Sequence, residues 1–207
     1  YDASGNVLQR SDIGNFVYGA ASRPHAVMAA GGETFTYDPN GNLATRNGLG
    51  QSWASFNLPT TLRKPGYQSQ LFYGPDHERW RQVASYQNGT ETTYYAGSLL
   101  EKESTTSTGL TYWRHYVPTP GGSTVVISRN SNGTKSTTYV VPDHLGSSDT
   151  LLNEAGAAVA RESFGTFGTR RGSNWSAATA PDWLGIANTT RQGFTGHEML
   201  DNVGLVH

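Results

Sequence analysis

No cysteine occurs among the 207 residues, which excludes disulfides and thiolate zinc sites. Charge is also scarce. Asp, Glu, Lys and Arg make up 15% of the chain, against roughly a quarter in an ordinary soluble domain. The net charge of −1 gives no broad electrostatic reason to bind nucleic acid or an anionic membrane. No apolar run reaches the roughly 18 residues a membrane-spanning helix needs. The opening Tyr1-Asp2-Ala3-Ser4-Gly5-Asn6 lacks the basic and apolar blocks of a signal peptide. The ends look cut from a longer chain, because there is no initiator methionine and the last residues are the apolar run Val203-Gly204-Leu205-Val206-His207. There is no phosphate-binding loop, no dinucleotide fingerprint and no placeable pair of carboxylates.

What is present is glycine (25 residues), serine and threonine, together about a third of the chain, with 11 tyrosines and 5 tryptophans. Glycine and hydroxylated residues make poor helices, whereas Thr, Tyr, Val and Trp suit a pleated surface. The composition predicts an all-β protein rich in turns. One segment recurs: Tyr1-Asp2-Ala3-Ser4-Gly5-Asn6-Val7 matches Tyr37-Asp38-Pro39-Asn40-Gly41-Asn42-Leu43 as Y-D-x-x-G-N-apolar. Weaker echoes lie at Tyr73-Gly74-Pro75-Asp76 and around Asn153–Gly156. A recurring pattern marks a repeat architecture. Pro39 pre-sets a turn, Asp38 can bond the backbone beyond it, and Gly41 accepts a left-handed conformation. Tyr37 then sits at the last strand position, ready to pack across the hairpin. The Tyr-Asp pair therefore reads as shaping the chain, not as an acid/base pair.

Further hairpin turns are predicted at 87–89, 96–98, 107–109 and 130–133, the last carrying Asn-Gly between alternating apolar residues. The pattern predicts roughly ten to fourteen strands joined in sequence as a meander. Residues 172–190 break the rhythm, and one short helical insertion is expected near 176–188 after Pro181.

Candidate sites are few. His197-Glu198-Met199-Leu200 starts like the zinc motif H-E-x-x-H, but Asp201 stands where the second histidine belongs. Asp143-His144-Leu145-Gly146-Ser147 gathers Asp, His and Ser locally. A catalytic triad, however, converges from distant segments, and the stretch reads as a turn begun by Pro142 and released by Gly146. The aromatics are expected mainly to fill space between hairpins, although exposed ones would be able to stack sugars. No catalytic, cofactor or metal site is assigned.

These motifs carry a resemblance. Tyr37-Asp38-Pro39-Asn40-Gly41-Asn42-Leu43 resembles the YD repeat, and Asp143-His144-Leu145-Gly146-Ser147 resembles the D-H-L-G-S box of the Rhs repeat-associated core domain. Arg161–Gly168 is similar to that domain's next block. Gly193-Phe194-Thr195-Gly196-His197-Glu198, followed by Gly204–His207, is similar to its closing block. The resemblance implies a meander of β-hairpins wound into part of a spiral β-strip or cocoon shell. Residues 1–140 would be the YD-repeat strip and 141–207 the core segment. It also implies a bacterial polymorphic toxin, secreted or delivered to a target cell, for example by type VI secretion in interbacterial competition. The shell would encapsulate a C-terminal toxin domain of the same parent chain, with neighbouring YD repeats as partners. The aspartyl autoprotease residues of the family belong to a segment beyond His207, so none is carried over and this chain is expected not to be an enzyme. One alternative is a carbohydrate- or partner-binding β-module, recognising a cell-surface glycan or a secretion-apparatus protein; another is a part of an aspartyl autoprotease that residues beyond His207 would complete. The structural motif residues implied are Tyr37, Asp38, Gly41, Asn42, Asp143, His144, Gly146, Gly193, Phe194, Gly196, His197 and Glu198.

Overall fold

The computed structural model describes residues 1–172, 175–176, 186 and 189–206. Sixteen strands form one open antiparallel sheet in which every strand pairs with its neighbours in sequence. The leading strands are short: β1 (Gln9–Arg10), β2 (Gly14–Tyr18), β3 (Val27–Ala30), β4 (Glu33–Tyr37), β5 (Leu43–Arg46), β6 (Leu49–Trp53) and β7 (Pro59–Lys64). Longer ones follow: β8 (Tyr67–Tyr73), β9 (Arg79–Tyr86), β10 (Gly89–Ala96), β11 (Leu100–Thr105), β12 (Thr111–Pro118), β13 (Thr124–Asn130) and β14 (Lys135–Pro142). The sheet ends with β15 (Ser148–Leu152) and β16 (Ala158–Arg161). Among the described residues, two separate hairpins follow, β17 (Ser163–Phe164) with β18 (Arg170–Arg171), and β19 (Met199–Leu200) with β20 (Leu205–Val206).

The meander is as expected, but it holds more strands than the ten to fourteen read from the sequence. The additional ones are short, and strands of two to four residues give a period of two little room to show. The sheet crosses residue 140 without a break, because β14 spans it. The helical insertion expected at 176–188 lies, apart from Ser176 and Ile186, outside the described residues.

A single turn geometry recurs along the chain. In it, the N–H of residue x donates to the carbonyl of x+4, and the N–H of x+3 donates back to the carbonyl of x. Residue x+3 is left-handed. This turn starts at Asp2, Asp38, Ala54, Gly74, Thr119, Asn130, Asp143, Asn153, Gly165, Gly172 and Gly193. Glycine fills the left-handed position in most copies, as Gly41 does at φ 89°, while Asn57, His77 and Trp175 occupy it elsewhere. The repeat is therefore a repeat of backbone shape. The D-x-x-G-N sequence is its best-stabilised version.

The side chains show why. The Asn42 N–H donates to Asp38 Oδ1 at 2.8 Å and the Asn42 amide to Asp38 Oδ2 at 3.0 Å. Asp2 holds Asn6 in the same way. Burial opposes ionisation of Asp38, but these hydrogen bonds carry its pKa below the usual range. The aromatic before the turn reaches backwards. The Tyr37 hydroxyl donates to the Val27 carbonyl at 2.9 Å, Tyr73 to that of Pro59 at 2.8 Å, and the Trp53 indole to that of Leu43 at 2.8 Å. Each of these strands also shifts register at that aromatic, where a bulge leaves ladder groups unpaired. Tyrosine ties one hairpin to the preceding one, and aspartate shapes the next turn.

The two faces of the sheet differ. On one face, Leu49, Leu62 and Leu71 form an apolar cluster with Leu200 and Val203 from the C-terminal hairpin. Tyr116, Val126, Val140 and Leu151 form a second cluster with Ile186. Between the two lies a buried polar stretch, Gln82, Thr93, Glu101, Glu103 and Arg114. The opposite face leaves Trp80, Tyr94, Ile127 and Tyr139 exposed.

Candidate functional site

The candidate site is this covered polar stretch together with the C-terminal segment that lies on it. Alternation along β9–β12 places Gln82, Thr93, Tyr95, Glu101, Glu103, Arg114 and Tyr116 on one side of the sheet. Each is within the ladder, so the backbone fixes its direction. Residues 190–206 bring the complementary groups.

Four residues latch the segment, Arg191, Glu198, Asp201 and Asn202. Glu198 is ion-paired with Arg79. It also accepts a hydrogen bond from the Tyr95 hydroxyl at 2.9 Å. The Arg79 guanidinium lies 4.5 Å from the centre of the Tyr95 ring and donates to Gln82 Oε1 at 3.1 Å. Arg191 reaches both carboxylate oxygens of Glu91 at 2.7 Å and lies 3.8 Å from Glu103. Further along, Arg170 pairs with Glu162 and donates from Nε to Asp201 at 2.9 Å. The Asn202 amide adds a 2.8 Å bond to Ser69 Oγ, and Ser69 is fully buried.

The sheet face carries its own charges beneath the latch. Arg114 is 2.8 Å from Glu103 and 3.7 Å from Glu101, and Tyr116 donates to Glu101 at 2.9 Å. Four carboxylates, Glu91, Glu101, Glu103 and Glu198, thus share three guanidinium groups, Arg79, Arg114 and Arg191. Burial, then the nearby Glu198 charge, pushes Glu101 up to about 7. Burial also raises Glu91, which Arg191 partly offsets. The Tyr95 and Tyr116 hydroxyls are pushed well up by burial and by the neighbouring carboxylates, so both remain donors. A buried ion network of this kind is strongly destabilised by losing one partner. It therefore specifies one seating of the segment.

The motif residues implied by the sequence divide between turn and latch. Tyr37, Asp38, Gly41 and Asn42 build the turn described above. The N–H groups of Leu145 and Ser147 donate to Asp143 Oδ1, both at 2.8 Å, and Gly146 takes the left-handed position at φ 84°. His144 points into solvent, so Asp143, His144 and Ser147 form no relay. This turn meets the closing block. Ser148 N–H donates to the Gly193 carbonyl at 3.0 Å, and Thr195 N–H donates to Ser147 Oγ at 3.1 Å. Gly193 is needed for close approach, since a Cβ there would sit 2.6 Å from Met199 Cγ. Phe194, in the 3-10 turn Phe194–Gly196, packs 5.9 Å from the Phe164 ring. Gly196 is left-handed at φ 74°. His197 is exposed, while Glu198 turns inward to the latch.

The sequence reading had singled out Glu198 but missed its partners Arg79 and Tyr95, the Arg191–Glu91 pair, and Arg170 with Asp201. A usable signal was present. In a chain this poor in charge, Glu101 and Glu103 sit mid-strand with a spacing of two. They therefore share a face, and a face with two carboxylates needs cations. The sequence does not say which arginine supplies them.

No family model and no curated protein matches the chain. Solved structures do. A crystal structure of TcdB2-TccC3 superposes with a TM-score of 0.68 at 16% identity, covering 93% of this chain. A Photorhabdus luminescens Tc holotoxin pore with mutated TccC3 gives 0.67, and TcdB2-TccC3 with Cdc42 gives 0.61, at the same identity and coverage. This chain spans 11% of the length of each of those chains. The fold of this chain is thus similar to a part of those toxin-complex chains.

Proposed function

We propose that the chain is a structural segment of an Rhs-type toxin shell, a piece of wall carrying an inward-folded closing segment, which helps to enclose a C-terminal toxin of the same parent until delivery. The observation that carries this is the latch. Residues 190–206 lie on one face of an open 16-stranded strip, against β6–β11, through partly buried ion pairs and a shared apolar cluster. A wall needs one face committed to the inside and strands whose edges continue into neighbouring repeats. The likeness to toxin-complex chains supports the same reading. The segment is structural and not catalytic, so the purified chain incubated alone is expected to keep its intact mass.

The test uses a longer parent that includes its toxin. Toxin activity is compared in the intact parent and after opening with mild denaturant. Activity that appears only on opening supports enclosure, and full activity in the intact parent rejects it.

A further inference from the structure

The open face of β8–β14 carries a row of side chains that enclosure does not require. Register places Phe72 opposite Arg81, Arg81 opposite Tyr94, and Tyr94 opposite Lys102. It continues with Lys102 opposite Trp113, Trp113 opposite Arg129, and Arg129 opposite Lys135. Aromatic and cationic side chains thus alternate, strand by strand, across six strands, and a further cation follows. With strands about 4.8 Å apart, the row is roughly 29 Å long.

The cations are uncompensated. Among the described residues, no carboxylate pairs with Arg81, Lys102, Arg129 or Lys135. The row above holds Gln70, Val83, Thr92, Ser104 and Thr111. The row below holds Ala96, Leu100, His115, Ile127 and Thr137. Neither contains an acid. Arg129 directly opposite Lys135 is a like-charge pair, which costs stability. These are interior strands of the sheet, so the cations do not guard an edge.

The row is also pre-organised. The Arg81 guanidinium lies 3.8 Å from the centre of the Phe72 ring and 5.0 Å from that of Trp80. Its Nε is buried without a hydrogen-bond partner. Trp80 and Tyr94, 6.0 Å apart between ring centres, are 43% and 41% exposed.

From this we infer that the open face of β8–β14 is a docking track for a linear acidic polysaccharide in which charged and neutral sugars alternate. An aromatic ring stacks on the apolar face of a neutral sugar, and the cation on the next strand meets the acid group of the following one. A pyranose in an extended chain advances by close to one strand spacing, so the two alternations run in step. The hydroxyls and amide of Gln70, Thr92, Ser104 and Thr111 lie alongside for ring hydroxyls. Nucleic acid fits less well. Each nucleotide carries both a phosphate and a base, which calls for a cationic track beside the aromatics, not a single alternating line. The inference does not depend on the shell reading.

The test is a titration of the 207-residue chain with a hyaluronan octasaccharide at low ionic strength, read by tryptophan fluorescence and calorimetry. A neutral chitin oligosaccharide and oligothymidylate are run in parallel. Saturable hyaluronan binding is expected. It should weaken with added salt, exceed both controls, and fall about tenfold in Trp113→Ala and in the double variant Lys102→Gln/Arg129→Gln. Circular dichroism checks that the variants fold, and Lys135→Gln, at the end of its strand, is the substitute where one does not. The inference is overturned by absent hyaluronan binding, by equal or tighter oligothymidylate binding, or by affinity that the variants leave unchanged. Self-association of the ligand-free chain that the double variant abolishes also overturns it, because a second copy would then occupy the track.

Discussion

The two faces of the same sheet use charge in opposite ways. The covered face pairs nearly everything. Arg114 with Glu103 is buried, Arg191 with Glu91 and Arg79 with Glu198 are partly buried, and all three pairs are hydrogen-bonded. The open face leaves four cations without acids beside exposed aromatics. Backbone and turn chemistry are shared, so the difference lies in what each face meets. Where a chain segment lies over the sheet, isolated charge is too costly, so each ionisable group finds a counter-ion or, like Glu101, holds its proton more tightly. Where water covers the sheet, unpaired cations cost little and are available to a ligand.

The largest expected effect falls on the covered face. Arg191→Met leaves Glu91 buried without its partner and should cost ~3–5 kcal/mol. The melting temperature should fall by on the order of 10 °C, and residues 190–206 should become an early site of limited proteolysis. An unchanged melting temperature would show that the latch contributes nothing to stability. Leu200→Ala, in the apolar cluster with Leu62 and Leu71, should cost ~2–5 kcal/mol and release the same segment. The two variants separate the ionic from the apolar part of the docking.

The pH dependence sharpens the contrast. The pKa of Glu101 rises from 4.5 unfolded to about 7 folded, so the folded state holds a proton that the unfolded chain releases. The stabilisation is complete at low pH and is lost as pH rises through about 7. The loss is about 3 kcal/mol by alkaline pH. Melting temperature is expected to fall between about pH 5 and about pH 8, with Glu101→Gln flattening the curve in that window. A wild-type profile as flat as the variant's would mean that Glu101 stays charged in the fold.

Smaller effects belong to the turns and the open face. Gly41→Ala forces a Cβ into φ 89° with open space around it, which costs ~1–2 kcal/mol for the left-handed backbone alone. Lys135→Glu should stabilise by about 0.5 kcal/mol, because it converts the like-charge pair with Arg129 into an opposite-charge one. Thermal melts check both. Destabilisation by Lys135→Glu would remove the claim that the cationic row is held at a cost to stability.

Much of the local structure was legible. Asp38-Pro39-Asn40-Gly41 read as a turn because each residue has a local physical role there. What hid the full repeat was the tolerance of the same turn for other sequences. Gly74-Pro75-Asp76-His77, which reads only as a weak echo, and Ala54-Ser55-Phe56-Asn57, which does not read as one, adopt it without the Asp-Gly signature. The role of Tyr37 was half legible. Its place before the turn was visible, but its hydrogen bond to Val27 depends on the neighbouring strand. The aromatics were expected mainly as filler between hairpins. Instead Trp80 and Tyr94 are exposed, and Trp53 serves as a donor to the main chain.

By itself the sequence determined the β class, the sequential meander and the positions of the turns with an Asp-Gly or Asn-Gly signature. Those depend on propensity, on a period of two, and on residues that bond within four positions of themselves. The tertiary structure alone decided which face of each strand is covered. It also decided that Glu198 meets Arg79 across 119 residues, and that seven side chains from seven strands fall into one line. Such relations depend on register and on the docking of distant segments, and the energy that fixes them is shared between residues whose separation in sequence carries no mark of it.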